Sequence, residues 1–281
     1  MTTTLRPTGP EEPTADGGRC REFDVCDNGR AVGALRLSTD ERFGARVGRV
    51  DALSVDPAER RRGRATVAVL AAEEVLRGWR CERVEARVPA SAGAALALAA
   101  ALGYLERNRT MAKRIAAGPP SLPDGYAVRP MTEADFAGWQ AAERAFVVDG
   151  WTGLGLPRAQ AEDRADAGLR RLLPDGVTSR ASALRLLSHG GVEVGALWVA
   201  VHGQAVDLDV DGYVFSVRVH AEHRGRGHGR ELMREAERIC HAAGRPRLGL
   251  NVFAGNAPAL SLYTSLGYQA RDYYVAKPLG G

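Results

Sequence analysis

The sequence predicts an α/β fold made of two units in tandem, each with a central, mostly antiparallel mixed sheet flanked by helices. Three observations support this prediction. Short segments with β-branched or continuous apolar character alternate with segments of helical periodicity. A stretch rich in proline and glycine at residues 118–125 is typical of a linker. The flanks of this linker repeat each other.

The internal repeat is the strongest evidence for two units of one kind. Several matches share one spacing of 164 residues (219 − 55, and 266 − 102), which indicates a duplicated unit rather than chance. Upstream, Val32–Leu35 matches Val194–Leu197 after a shift of two residues. The residues that match at the spacing of 164 are Val55 with Val219, Arg60 with Arg224, Gly63 with Gly227, Leu102 with Leu266, Tyr104 with Tyr268, and Lys113 with Lys277.

These observations divide the chain into four segments. Residues 1–18 are rich in Thr, Pro, Gly and Glu, lack apolar periodicity, and are expected to be disordered. Residues 19–117 form a degenerate first unit, residues 118–125 the linker, and residues 126–281 the complete second unit. Within the first unit, Ala94–Leu102 is almost wholly apolar, which predicts a helix that is buried against another part of the protein.

Composition and charge argue against several classes of protein. The formal net charge is +4, and arginines are interleaved with acids, which favours a basic surface around a pocket for an anionic cofactor over nucleic-acid binding. No apolar run approaches the ~20 residues that span a bilayer, and the N-terminus lacks the apolar core of a signal peptide. We therefore expect a soluble, cytoplasmic protein. The four cysteines show no zinc spacing and no C-x-x-C pair, so neither a metal site nor a disulfide framework is predicted.

A glycine-rich turn between a strand and a helix is the first chemical signal. The predicted strand Tyr213–Val219 is followed by a turn over Arg224–Gly229, with sequence RGRGHG, and then by a helix. Closely spaced glycines let the backbone approach a ligand, and the unpaired N–H groups at the start of a helix attract anions. A pyrophosphate is the natural ligand, although the spacing is neither the Walker nor the Rossmann pattern. Taken alone, the turn could equally be an ordinary flexible loop.

The second signal is a helix about thirty residues downstream. Asn256 lies just before this helix, Pro258 fits its first turn, and Tyr263 lies within it. Taken singly, Asn256 could be a plain N-cap and Tyr263 a half-buried core aromatic. Together with the turn, these residues resemble the GNAT superfamily of N-acetyltransferases, whose pattern is Arg/Gln-x-x-Gly-x-Gly/Ala followed by Asn-x-x-Ala-x-x-Leu-Tyr-x-x-x-Gly-Phe/Tyr. The matching residues are Arg224, Gly227, Gly229, Asn256, Ala259, Leu262, Tyr263, Gly267 and Tyr268.

This resemblance implies an acetyl-CoA-dependent transfer to a primary amine of a small molecule or peptide, by direct attack on the thioester and without a metal. It makes Tyr263 the catalytic acid, which hydrogen-bonds the CoA sulfur and protonates the departing thiolate. In the implied cofactor site the amides of the turn hold the pyrophosphate, two strand amides bind the thioester carbonyl and the pantetheine, and an asparagine contacts the pantetheine arm. The residues of that site are Val217, Val219, Arg224, Gly225, Arg226, Gly227, His228, Gly229, Arg230 and Asn256.

The sequence leaves the general base unassigned. Many relatives carry an acid near the middle of the strand in which this chain has Ser216 and Arg218. Because of this missing acid, a non-catalytic acyl-CoA-binding or regulatory module is the alternative function. Nearby titratable residues, each of which could equally be a solvated loop side chain, are Asp207, Asp209, Asp211, His220 and Glu222.

The first unit lacks the chemical residues of the second. Ala92 and Ala99 stand where Asn256 and Tyr263 would be expected from the repeat. The first strand and the two helices that usually shape the acceptor site also have no evident counterpart. We therefore predict that the first unit is a structural partner in a pseudo-dimer within one chain, with a retained CoA site without catalysis as the alternative. A homodimer is left open.

Overall fold

The computed structural model describes residues 2–14, 17–40, 47–116, 118–153, 156–201 and 209–280, which form two compact units. Unit 1 comprises Met1–Asn108 together with Asp272–Gly281, and unit 2 comprises Arg109–Arg271. Both are mixed α/β structures with helices against a largely antiparallel sheet, which confirms the predicted fold class. Within the described ranges, no helix combines the length and the apolarity needed to cross a membrane.

The elements of the N-terminal repeat build most of unit 1. Its sheet order is β1-β3-β4-β5-β6, and the short β2 pairs with β3. All pairs are antiparallel except β5 with β6, which run parallel over Val47–Val50 and Arg83–Ala86. The elements are β1 (Thr3–Pro7), β2 (Glu12–Pro13), β3 (Arg19–Asp27), β4 (Arg30–Asp40), β5 (Val47–Val55), α1 (Arg64–Gly78), β6 (Arg83–Pro89), α2 (Gly93–Ala101) and β7 (Leu105–Arg114).

The C-terminal repeat builds most of unit 2, with sheet order β8-β9-β10-β11-β12. One face carries a core beneath α5 that includes Leu232 and Met233, and the other face packs Trp139 and Leu169 of α3 and α4 against Trp198. The sheet therefore presents a separate helical layer on each face. The elements are β8 (Tyr126–Pro130), α3 (Glu133–Gly153), α4 (Arg158–Leu172), β9 (Ser182–His189), β10 (Val192–Ala200), β11 (Gly212–Val219), α5 (His228–Ala242), β12 (Arg247–Phe253), α6 (Ala257–Ser265) and β13 (Gln269–Pro278).

The last strand of each repeat contributes to the unit built by the other repeat. Asp272–Pro278 of β13 pairs antiparallel with β6 in unit 1, and β7, which belongs to unit 2 from Arg109 onward, pairs with β12. Each strand brings one lysine to a buried glutamate: Lys277 Nζ lies 2.8 Å from Glu73 Oε2 on α1. In unit 2, Lys113 Nζ lies 2.8 Å from Glu237 Oε1 on α5. The core residues supplied in this way are Val275 and Leu279 in unit 1, and Met111 and Ile115 in unit 2.

The expectation that residues 1–18 are disordered is wrong for Thr3–Pro7, which forms β1 and pairs antiparallel with β3. A first strand is therefore present in the N-terminal repeat. It escaped prediction because it is a short edge strand whose contact with the core comes from Leu5, and one apolar side chain gives no periodic signal. Among the described residues between β1 and β3 only β2 is regular, so the two acceptor-site helices have no counterpart there.

The apolar helix predicted at Ala94–Leu102 packs against the core of unit 1, but only in part. The segment is helical as α2, but none of the residues of α2 is fully buried. Partly buried side chains such as Leu96 and Leu98 reach the core of unit 1, while most of the alanines stay exposed. Alanine contributes little apolar area, so an alanine-rich helix tolerates exposure at a small cost in free energy of unfolding.

Candidate functional site

The candidate site of unit 2 lies where two parallel strands diverge. β11 and β12 pair from Gly212 to Val214 and, within the described part of the chain, no further. The His220 N–H donates to the Val194 carbonyl of β10 at 3.0 Å, and N–H directions alternate along a strand. The amides of Val217 and Val219 therefore point away from β10, into the gap beside β12. These are the two strand amides that the resemblance assigned to the thioester and the pantetheine.

The glycine-rich turn opens α5 next to β11. Gly227 is the N-cap of α5 with φ 87°, and Gly225 has φ 76°, both in the left-handed region that favours glycine. A Cβ at either position would meet nothing within 4 Å, so the turn faces open space. The first N–H groups of a helix have no partner inside it, and with the helix dipole they attract anions. The turn thus has the geometry of a pyrophosphate site.

Gly229 lets the first turn of α5 approach its neighbours closely. A Cβ at this position would lie 3.2 Å from Leu262 Cδ2 of α6 and 3.8 Å from Val219 Cγ2 of β11. The first of these contacts is tighter than most side chains show, so a larger residue would require the Leu262 side chain to shift by a few tenths of an ångström. The absence of a side chain therefore keeps the turn, α6 and the gap close together.

Two arginines fix the turn from either end. Arg224 Nε donates to the Val219 carbonyl at 3.2 Å, and Arg230 Nη2 donates to Ser265 Oγ of α6 at 2.8 Å. The Arg230 amide, which was expected to bind the pyrophosphate, already donates to the Gly227 carbonyl at 2.9 Å. What Arg230 can offer an anion is therefore its guanidinium rather than its amide.

Asn256 and Tyr263 both lie on α6. Asn256 caps the helix, because its Oδ1 accepts the Ala259 N–H at 3.2 Å, and this leaves its side-chain NH₂ as the donor for a ligand. Tyr263 is buried in the core cluster against which Val217 and Val219 pack. Burial raises the pKa of Tyr263 to about 12, so the phenol stays protonated and acts as a donor.

The acids suggested by the sequence are engaged elsewhere or exposed. Asp211 binds Arg247 through both carboxylate oxygens at 3.1 Å, and this pairing holds the pKa of Asp211 below its usual value. Asp209 also pairs with Arg247, at 2.5 Å. Glu222 is exposed, and a hydrogen bond from its own backbone is the main cause that lowers its pKa. Asp207 lies outside the described residues.

A buried carboxylate from α3 lies against β11, where the strand itself carries no acid. Glu143 is 2% exposed, and its Oε2 accepts from Ser216 Oγ at 2.8 Å and from Arg218 Nη2 at 2.9 Å. Burial raises the pKa of Glu143, and the two donors act in the opposite direction. The only sequence signal for Glu143 was an acid on the apolar face of α3, between Trp139 and Val148.

Three histidines line a cavity of about 380 Å³ beside the turn. His228 is buried, and its Nδ1 lies 2.8 Å from Tyr126 Oη. Burial first, then the neighbouring His189, His223 and Arg226, lower the pKa of His228. A neutral imidazole is therefore favoured at the start of α5 near neutral pH.

Both repeats of the chain are similar to one known protein family. The profile of the Acetyltransferase (GNAT) family matches residues 4–104 and 171–268, one match in each repeat. The Bacillus subtilis (strain 168) protein called Uncharacterized N-acetyltransferase YycN is 27% identical over 82 residues, which are 29% of this chain and 53% of YycN. Uncharacterized N-acetyltransferase YdgE of the same organism is 21% identical over 161 residues, 55% of this chain and 98% of YdgE. The chain thus spans about half the length of YycN.

Solved structures with the same fold include a GCN5-related N-acetyltransferase from Sphaerobacter thermophilus, with TM-score 0.59 and 21% identity over 93% of this chain and 81% of that one. A tandem GNAT protein from the clavulanic acid biosynthesis pathway has TM-score 0.49 and 22% identity, over 96% and 85% of the two chains. The similarity to the Sphaerobacter thermophilus structure concerns the fold alone. Because the family profile matches more than half of the residues, the chain belongs to the GNAT family of acetyltransferases.

Proposed function

We propose that unit 2 transfers an acetyl group from acetyl-CoA to a primary amine by direct attack of the neutral amine on the thioester. The observation that carries this proposal is the convergence of the open turn, the diverging strands and Tyr263 in one place. Each supplies one requirement of the reaction: an anion site, backbone donors for the oxyanion, and a donor for the leaving sulfur. Family membership supports an acyltransferase, and the acetyl donor and amine acceptor are the finer parts of the proposal.

In the proposed complex the cofactor lies along the turn and the gap. The pyrophosphate binds the amides between Gly225 and Gly229, with the guanidinium groups of Arg226 and Arg230 as nearby cations. The Val217 amide donates to the thioester carbonyl, where negative charge develops as the amine attacks. The Val219 amide and the Asn256 NH₂ group hold the pantetheine arm.

The role of Tyr263 follows from its acidity. An ordinary thiol has a pKa of about 8.5, so full proton transfer to sulfur from a phenol with a pKa of about 12 is uphill. The main contribution of Tyr263 is therefore a hydrogen bond that stabilises charge as it develops on the sulfur. Loss of such a group typically lowers turnover by about 10²–10⁴-fold.

The proposal is tested by mixing the full chain with acetyl-CoA and a library of primary amines, while free thiol and acetylated amine are measured. We expect thiol release that depends on the amine, and a fall in kcat of about 10²-fold or more in Tyr263→Phe with acetyl-CoA affinity retained. Tyr104→Phe removes a buried phenol from unit 1 and serves as the matched control with unchanged kcat. A chain that binds acetyl-CoA but releases no thiol with any amine would instead be the non-catalytic binding module.

We further propose that unit 1 does no chemistry and serves as the structural half of a pseudo-dimer. Ala92 and Ala99, the counterparts of Asn256 and Tyr263, offer neither an amide nor a phenol. The acceptor is a small-molecule or peptide amine. Its identity would come from the same amine screen.

A further inference from the structure

β11 presents different chemistry on its two faces. Val217 and Val219 pack with their side chains toward the core beneath α5 and α6. Ser216 and Arg218 point to the opposite face, where both donate to Glu143 of α3. The strand that offers its amides to a thioester thus carries a hydroxyl and a carboxylate partner on the side away from the cofactor turn.

α3 crosses the gap on this second face. Glu143 lies over β11, and a Cβ at Gly150, about two turns later, would lie 3.7 Å from the Phe253 ring at the end of β12. Phe146, between them on α3, is 54% exposed, so solvent reaches this part of the helix. An acceptor that approaches a thioester in the gap from this face therefore passes between α3 and the strands, beside Ser216.

The accessibility of the two groups decides which of them an acceptor can touch. Ser216 is half-buried, whereas Glu143 is 2% exposed behind it. A hydroxyl accepts one hydrogen bond while it donates another, so it can pass a proton from an outer group to an inner one. Because burial raises the pKa of Glu143, its carboxylate is a stronger base than a solvated glutamate.

We propose that Ser216 and Glu143 form the proton relay that deprotonates the attacking amine, an inference that rests on the proposed function. The bond from nitrogen to the acetyl carbon forms, and the bond from that carbon to sulfur breaks. The proton lost by nitrogen goes to Ser216 Oγ, while the Ser216 proton goes to Glu143 Oε2. The leaving thiolate is stabilised by the hydrogen bond from Tyr263 and takes its proton from solvent, and Glu143 returns its proton to solvent. Ser216 is the catalytic residue of the pair, and Glu143 acts through it.

The first test removes the hydroxyl and leaves the rest in place. Ser216→Ala keeps the ion pair between Glu143 and Arg218, so the fold should be retained, which circular dichroism checks. We expect kcat to fall by about 10²-fold with KM for acetyl-CoA unchanged. Ser182→Ala is the matched control, because its hydroxyl lies on β9 and accepts from the Trp198 indole at 3.0 Å.

The second test separates a relay from a structural contact. The pH profile of kcat is measured with a weakly basic acceptor amine that stays neutral over the whole range. The acid limb of the profile then reports the ionisation of a group on the enzyme rather than that of the amine. Arg218→Met removes a cation that lowers the pKa of Glu143, so this limb should move to higher pH. Glu143→Gln should abolish the acid limb together with most of kcat. If Glu143 had only a structural role, the position of the acid limb along the pH axis would be the same in these variants as in the wild type.

The outcomes distinguish the relay from the function on which it rests. Suppose that the wild-type chain acetylates an amine. If folded Ser216→Ala then keeps its full kcat, or if Arg218→Met does not shift the acid limb of the pH profile, the relay is wrong and the acetyltransferase proposal stands. If the wild-type chain releases no thiol with any amine, both fail. A loss of kcat in Ser216→Ala together with a shifted limb in Arg218→Met supports the relay.

Discussion

The two units contain the same turn with different electrostatics. In unit 1, Arg64 at the start of α1 is buried between Asp27 at 2.6 Å and Glu59 at 2.9 Å. In unit 2 the corresponding residues are three histidines, and no carboxylate stands among them. In the repeat, Arg64 corresponds to His228, Glu59 to His223, and Asp27 to His189. The two repeats thus share the backbone of the turn, but a network of ion pairs in unit 1, in which Glu59 also pairs with Arg30 and Arg62, is replaced by histidines in unit 2.

The backbone of the two turns is closely similar. Gly63 and Gly227 cap their helices with φ 76° and 87°, and α1 and α5 each have 15 residues. Arg61 replaces Gly225 and adopts φ 62°, which is unusual for a residue with a side chain. The guanidinium of Arg64 at the start of α1 is already paired with the carboxylates of Asp27 and Glu59 and is 3% exposed, so it is not available to a second anion. We therefore expect the unit 1 turn to stabilise its own fold rather than bind a pyrophosphate.

The largest expected effect concerns β7, the last strand of the N-terminal repeat, which belongs to unit 2 from Arg109 onward. A chain that begins at Pro123 lacks β7 and therefore loses Met111 and Ile115 from the unit 2 core, at about 2–5 kcal/mol for each large side chain. It should aggregate or unfold at a much lower temperature than the full chain. A chain that begins at Arg109 keeps these residues and should be the more stable of the two. Equal melting temperatures for the two truncations, measured by calorimetry, would show that unit 2 does not need β7.

The next effect separates the two turns. Gly227→Asp places a side chain at φ 87° and a negative charge in the proposed pyrophosphate site. The strained backbone costs roughly 1–2 kcal/mol, and the negative charge repels the pyrophosphate in addition. Because of both effects, kcat/KM for acetyl-CoA should fall by about 10²-fold. Gly227→Ala carries the strain alone and should lose about tenfold. Gly63→Asp, at the same place in unit 1, should leave kcat/KM unchanged, and a comparable loss there would mean that the first turn also takes part.

A smaller effect concerns the free energy of unfolding. It tests whether the lysine of β7 stabilises unit 2 as the lysine of β13 stabilises unit 1. Lys113→Met leaves Glu237 buried without its cation, which should lower the free energy of unfolding by roughly 3 kcal/mol in urea. The double variant Lys113→Met with Glu237→Leu should recover most of that loss. Lys277→Met removes the nearer cation of Glu73 in unit 1, and the longer ion pair of Glu73 with Arg77 at 3.8 Å remains, so the loss there should be smaller. A loss below about 0.5 kcal/mol in either single variant would contradict the assignment of its strand.

The smallest effect is a pH dependence confined to unit 2. The folded pKa of His228 lies below the ordinary histidine value of about 6.5, so below that pH the unfolded chain binds a proton that the folded chain does not. The free energy of unfolding of unit 2 should therefore be fully present above pH ~6.5 and decline as pH falls through the folded pKa. His228→Gln should flatten this slope. A slope identical to that of the wild type would assign the effect to other groups.

The sequence predicted the parts of the site that lie on short, continuous segments. The resemblance to a family pattern singled out Gly227, Asn256 and Tyr263 as candidates, because a turn, an N-cap and a helix face are local structures. Glu143 was not identified as a candidate site residue, because its proposed role depends on how α3 packs on β11. The spacing of residues along the sequence gives no information about that packing. The proposed base could therefore not be identified from the sequence of β11.

The strand exchange was unpredictable for a different reason. β7 and β13 descend from the same segment of the repeat and carry the same alanine–lysine pair, at Lys113 and Lys277. Lys113 pairs with Glu237 and Lys277 with Glu73, so the same local pattern occurs in both strands and does not tell which unit each strand joins. β1 was missed because a short edge strand needs little apolar pattern.

Titration calorimetry of the full chain with acetyl-CoA tests the proposal that only the unit 2 turn holds this ligand. We expect one acetyl-CoA bound per chain, with binding lost in Gly227→Asp and retained in Gly63→Asp. Two bound molecules per chain, or one that survives Gly227→Asp and disappears in Gly63→Asp, would contradict the account.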